Sequence, residues 1–253
     1  MISSPAFLYD SRDKYQMRWY NDSNQYERGL TGMDKNAAHQ FMMDFFEKYY
    51  NCLHAESEMA VMLPGVPEDM IGDAQPDGNH GEWRVWKLVP STVTEHEIAA
   101  LEADFALAFP EGVKAFLSTY HHLFEEPIGR NSTAKKFYGI KQAFNPHLVA
   151  NGFLSLTWDK SHYFIRCIDL SLMPDEERCP VLEIDHETLF DLQYQADERG
   201  EIIPKDILVQ HMNAVAENLY DYLNDIYENA GIYGDDEDWD DEENDQSLTG
   251  ARN

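Results

Sequence analysis

Positive charge is scarce in this sequence. Lys and Arg number 19 against 47 Asp and Glu in 253 residues, a formal net charge of −28. Such a polyanion is repelled by phosphate backbones and anionic lipid headgroups, so neither nucleic acid nor a membrane is an expected partner. Cysteine is scarce too. Cys52, Cys167 and Cys179 are odd in number and unpatterned in spacing, which fits neither a disulfide framework nor a zinc ribbon. No stretch approaches the roughly 18 apolar residues that span a bilayer. The opening MISSPAFLYDSRDKYQ lacks the basic region and long apolar run of a secretory signal. The expected compartment is therefore a reducing cytoplasm. Catalytic signatures are also missing: there is no Gly-rich phosphate loop, no G-x-S-x-G, no H-E-x-x-H and no C-x-x-C, so no cofactor and no metal are expected.

What the chain does have is apolar mass and negative charge. Hydrophobic residues at 43% allow a sizeable core, and aromatics at 13% leave rings for interface anchoring. The acidity is not confined to one place. GDDEDWDDEEND, residues 234–245, holds nine acidic residues and no basic one, yet residues 1–234 still carry 18 basic and 38 acidic side chains, a balance of −20. The body itself is suited to attract basic proteins.

Four segments are expected. Residues 1–33 form a polar arm, 34–81 a helix and loop extension, 82–230 an α+β domain, and 231–253 a disordered acidic tail too charged to fold alone. Apolar residues at 37, 38, 41, 42, 45, 46, 49 and 53 predict a helix over 34–54 with Asp34 as N-cap. EWRVWKLV, 82–89, reads as a strand. Thr94-Glu95-His96-Glu97 has the form of a capping box and predicts a helix over 95–107. Pro110 opens a second helix at its first turn, with Val113, Phe116, Leu117 and Tyr120 on one face and a tight joint at Ala108-Phe109. Strands are expected at 135–143, 152–158, 162–168 and 180–185, the middle two as a hairpin. An apolar stripe from Ile207 to Ile226 predicts one helix over 204–229. The fold class is α+β, a central, mostly antiparallel sheet flanked by helices.

Two clusters have ligand-bearing residues. His121-His122 with Glu125 and Glu126 places His122 and Glu126 at i, i+4, but two ligands do not make a metal site. Asp185-His186-Glu187 ends a predicted strand and reads as a polar turn and a helix N-terminus, with Asp and Glu near the positive end of the dipole. Cys167 and Cys52 fall within apolar patterns and behave as small hydrophobes.

The unit around Pro110 carries a resemblance. Ile98, Leu101-Glu102, Leu107, Phe109-Pro110-Glu111, Phe116-Leu117 and Tyr120 resemble the characteristic pattern of the SUKH superfamily, the Smi/Knr-like proteins. The preceding Trp-bearing strand, the strand–turn–strand with Asp159 and Asp169, the Pro-Val strand with Asp-His-Glu, and AENLYDYLNDI at 216–226 fit the family's order over residues 83–228. His121-His122-Leu123 stands where the family often has Asn-Gly-Gly. The resemblance implies an α+β fold without catalytic machinery. It also implies an immunity protein that binds and neutralises a polymorphic toxin, often a basic nuclease. Trp86, Glu125, Glu126, Asp159, Asp169, Asp185 and Glu187 are the expected partner-binding residues, carboxylates pairing with toxin Lys and Arg and Trp86 anchoring them. The rivals are a Smi/Knr-like regulatory scaffold for housekeeping partners and a metal-dependent enzyme using His121, His122, Glu126 and His186.

Overall fold

The computed structural model describes residues 34–159 and 161–230. The expected N-terminal arm, the acidic tail and Lys160 of the hairpin turn lie outside the described residues. Asp34 begins the first helix as expected. Its carboxylate accepts from the backbone N–H groups of Asn36 and Ala37, both at 2.9 Å. That satisfies two of the donors a helix start leaves unpaired. Helix α1 (Lys35–Glu56) buries Ala38, Met42, Phe45 and Phe46 along one stripe. Strand β1 (Met62–Pro64) pairs antiparallel with β2 (Trp83–Val85), and β3 (Val89–Pro90) pairs with β4 (Tyr120–His121). The single strand expected over 82–89 is thus two short pieces serving different partners.

The corner around Pro110 is built largely as its sequence implies. Thr94 and Glu97 form the reciprocal capping box at the start of α2 (Glu95–Phe105), and Ala106 ends the helix in the left-handed conformation at φ 52°. Helix α3 (Glu111–Thr119) follows, with Pro110 at the N-cap, one residue before the first turn. Proline has no side-chain acceptor to cap with. The buried Glu176 does this instead, accepting from the Gly112 N–H at 3.0 Å and the Tyr220 hydroxyl at 3.0 Å. Burial raises the Glu176 pKa, while these two hydrogen bonds oppose the rise. Leu101, Phe105, Phe109, Phe116 and Leu117 enter one core with α1, whose Phe46 ring lies 4.7 Å from that of Phe116.

Residues 135–143 do not form the expected strand. They hold α4 (Tyr138–Gln142), entered through Phe137 at φ 59°. The buried residues Phe137, Ile140 and Ala143 are spaced by three, a helical rather than alternating period. Gly139 is also pressed against Gly129, where a Cβ would stand 2.3 Å from the Gly129 backbone. Helix α5 (Pro146–Ala150) follows, capped by the Asn145 side chain.

A four-stranded antiparallel sheet occupies the second half of the chain, in the order β5 (Phe153–Trp158), β6 (Phe164–Asp169), β7 (Val181–Asp185) and β8 (Met212–Ala216). The β5–β6 hairpin is the expected one. After β7 comes helix α6 (His186–Asp197), whose start at Asp185-His186-Glu187 the sequence allowed for but whose length it did not predict. The single helix expected over 204–229 is instead α7 (Lys205–Gln210), strand β8 and α8 (Leu219–Glu228). Pairing of β8 with the open edge of β7 overrides the helical stripe, and Asn218 restarts the helix by accepting from the Asp221 N–H at 3.0 Å.

The sheet is covered on both faces. Leu154, Leu156, Ile168 and Val181 join the main core with α1, α2, α3 and α8. Phe153, Ile165, Cys167 and Ile184 meet Leu148, Leu189, Ile203 and Leu208 in a second cluster. Strict alternation predicts Trp158 on the Leu154–Leu156 side. A register shift between Ser155 and Thr157 turns it to the second cluster. The first and last described helices touch, with Phe41 edge-on to Tyr220 at 5.0 Å. With eight helices and antiparallel sheets among the described residues, the fold is α+β.

Candidate partner-binding surface

The seven expected partner-binding residues fall into two groups. Trp86, Glu125 and Glu126 come together around a cavity of about 490 Å³ between α1, the 123–126 segment and α8. Trp86 is not the surface anchor expected of it. The residue is 2% exposed, with its ring edge-on to Tyr50 at 5.0 Å and to Phe124 at 4.8 Å. The Tyr50 hydroxyl donates to its carbonyl. Long-range packing from α1 has made it core. Glu125 is exposed and pairs with Arg130 at 2.5 Å. Glu126 pairs with Arg166 at 2.8 Å, and Arg166 also donates to the Tyr222 hydroxyl at 3.0 Å and lies 3.6 Å from Glu183. Burial raises the Glu183 pKa against the pull of Arg166. Asp225, also on the cavity lining, is raised first by desolvation and then by Glu228 and Asp221. Like charge is crowded along α8.

The other four lie around the sheet. Asp159 is buried and structural, accepting from Ser161 N–H at 3.1 Å and Phe164 N–H at 2.7 Å to form the hairpin turn. Asp169 accepts from Ser171 N–H and pairs with Lys205, each at 3.0 Å. Asp185 caps α6 through Thr188 N–H at 2.8 Å, and the bonds from Thr188 lower its pKa. This is the helix N-terminus the sequence allowed for. Glu187 is exposed on the first turn, with no ion pair among the described residues. Asp159, Asp169 and Asp185 are therefore occupied in holding backbone.

The structure does not assemble the residues of the metal-enzyme rival. No group of three or more His, Cys, Asp or Glu among the described residues is placed to hold an ion. His121 is engaged on both ring nitrogens, by the Thr92 backbone N–H at 3.0 Å and hydroxyl at 2.9 Å and by the Asn131 carbonyl at 3.1 Å. His122 is sealed among Phe46, Phe116 and Phe124, at ring distances of 5.0, 5.2 and 5.5 Å, and neither of its ring nitrogens has a partner. Burial, with His121 beside it, pushes the His122 pKa down to about 3. The Cys167 thiol is pushed up by burial, away from a nucleophile's range.

Sequence reasoning missed the exposed rings of α6. Phe190 and Tyr194 stand out beside Tyr163 of the hairpin. The signal lay in HETLFDLQY, whose His186, Phe190 and Tyr194 recur every four residues. Among the described residues, no helix is long and apolar enough to cross a membrane. Comparison of the chain with protein-family models gives no match, and comparison with curated proteins gives none either.

Proposed function

We propose that this chain is a non-enzymatic, cytoplasmic immunity protein of the SUKH-like type. It binds a cognate basic toxin domain, a nuclease or other enzyme acting on nucleic acid, and blocks its active site. The observation that supports this reading is the excess of negative charge among the described residues. The described residues contain 34 Asp and Glu against 13 Lys and Arg, a difference of 21 carboxylates. Even if every one of those cations took a carboxylate of its own, those 21 would have none. An ordinary soluble protein interleaves its charges. A surface with this excess steers toward a basic partner and raises the rate of encounter. A toxin that grips phosphate must present such a basic surface. The α+β fold, with its corner at Pro110, is compatible with the resemblance carried by Ile98, Leu101, Phe109-Pro110 and Phe116-Leu117.

Co-expression with the toxin domain encoded by the adjacent gene tests the reading. A stable complex on gel filtration and restored growth are expected. Toxicity that persists undiminished, with no complex formed, refutes it. Recovery of housekeeping proteins in place of the toxin assigns the chain to the regulatory alternative.

A further inference from the structure

Helix α6 is apolar on two sides. Its inner side places Leu189 and Ala196 in the second core cluster. Its outer side carries His186, Phe190 and Tyr194 at i, i+4 and i+8, aligned on one face. A surface helix ordinarily turns charged residues to water on that side. Here Phe190 is 57% and Tyr194 67% exposed, and Tyr163 of the hairpin is 61% exposed. The half-buried Trp158 joins them. The His186 ring is central, 5.6 Å from Trp158, 6.4 Å from Tyr163 and 6.2 Å from Phe190.

The centre of the cluster is held in place. The backbone N–H of His186 and its Nδ1 both lie 2.9 Å from the Tyr163 carbonyl oxygen. A carbonyl only accepts, so the imidazole proton sits on Nδ1. These two bonds clamp the hairpin to the start of the helix, and the slip in β5 aims Trp158 to this side. The fixed His186 ring loses little rotamer freedom when it is covered, and neighbouring exposed rings mark interaction sites. Asp185, Glu187 and Asp191 border the cluster, the last two without an ion pair among the described residues.

The geometry points to this face as the docking site for a basic polypeptide surface, with Arg or Lys side chains laid over the rings and against the bordering carboxylates. The inference rests on the toxin-neutralising reading for the identity of the partner. Rings attract cations through their faces, and aromatic centres with charged rims are the usual make-up of an interface hot spot. A second copy of the chain is a poor occupant. Two molecules of net charge −28 would bring Glu187 and Asp191 against their own like-charged equivalents.

The test uses the full chain and its Phe190→Ser/Tyr194→Ser variant. Net charge is unchanged, so diffuse attraction to any cation is equal in the two proteins and drops out of the comparison. An unshifted thermal melt shows that the fold is kept. Two probes are titrated at about 0.15 M and about 0.5 M NaCl: a deca-arginine peptide and the toxin domain encoded beside the chain. The variant is expected to bind deca-arginine about tenfold more weakly, with the difference persisting at the higher salt, and the toxin about a hundredfold more weakly. Equal deca-arginine affinity in the two proteins overturns the docking face. Toxin binding that ignores the substitutions also overturns it, while leaving the neutralising function standing. If wild type fails to bind the toxin, that function falls, and the deca-arginine comparison alone decides the face. A wild-type dimer that the variant dissolves assigns the face to a second copy and overturns the proposal.

Discussion

His122→Leu isolates the cost of carrying an unpaired polar ring inside an aromatic enclosure. Both ring nitrogens of His122 are buried without a partner. An orphaned buried polar group costs roughly 1–3 kcal/mol. Leucine is apolar and of similar size, so after a small repacking loss it should stabilise the protein by about 1–2 kcal/mol at neutral pH. The second consequence is a pH dependence. The imidazole pKa is about 3 in the folded protein against 6.5 for the free group. The unfolded chain takes up its proton near 6.5, while the folded chain refuses it until near 3. Stability is therefore full above the unfolded value and falls as pH drops below it. Between about pH 7 and about pH 5 the loss amounts to about 2 kcal/mol, at 1.36 kcal/mol per unit. Urea denaturation of both proteins across this range gives two stability curves. Their separation should widen by about 2 kcal/mol on going to the acid end. Glu176, Glu183 and Asp225 have raised pKa values and respond to acid in the opposite sense, but they are common to both proteins and cancel. A separation that stays constant with pH refutes the claim that the ring is buried and uncharged.

Substitutions at two further residues probe the start of α3. Gly112→Ala would normally favour a helix by about 1 kcal/mol, but its Cβ would stand 2.8 Å from the Tyr220 hydroxyl and 3.1 Å from Leu219 Cδ2. A net loss of about 1–3 kcal/mol in urea denaturation is expected, and a gain would show that Tyr220 yields easily. Glu176→Ala strips acceptors from the Gly112 N–H and the Tyr220 hydroxyl together and should cost about 2–4 kcal/mol. Glu176→Gln, which keeps an accepting oxygen, should cost distinctly less. Equal losses for the two would mean that packing, not capping, is the residue's role.

Local signals in the sequence survive folding where one residue and its near neighbours decide the outcome. Asp34 caps α1, Thr94 and Glu97 close on each other, and the hairpin at 153–169 forms around Asp159. They fail where a distant element decides. The 204–229 stripe is interrupted because β7 has an edge to fill. Trp86, expected to anchor a partner, is enclosed by Tyr50 from α1 and by Phe124. Of the expected contact carboxylates, Asp159, Asp169 and Asp185 proved to be engaged by backbone donors. A carboxylate's type is visible in sequence, but whether a nearby N–H has already claimed it is not. The rings of α6 escaped notice because the helix splits its apolar residues between two faces, so neither forms one wide stripe.

The contact between Phe41 and Tyr220 joins the first described helix to the last. On the ribosome, α1 can close against α3 through Phe46 and Phe116 once that helix is made, but its Phe41 side has no partner until α8 follows. Tyr220 also holds Glu176, so α8 completes the cap of α3 as it arrives. Folding of this architecture is weighted toward contacts distant in sequence, which makes it slow and cooperative. A nascent chain cut short before Leu219 leaves Phe41 and the apolar surface that α8 covers exposed, of the kind that chaperones hold and proteases clear.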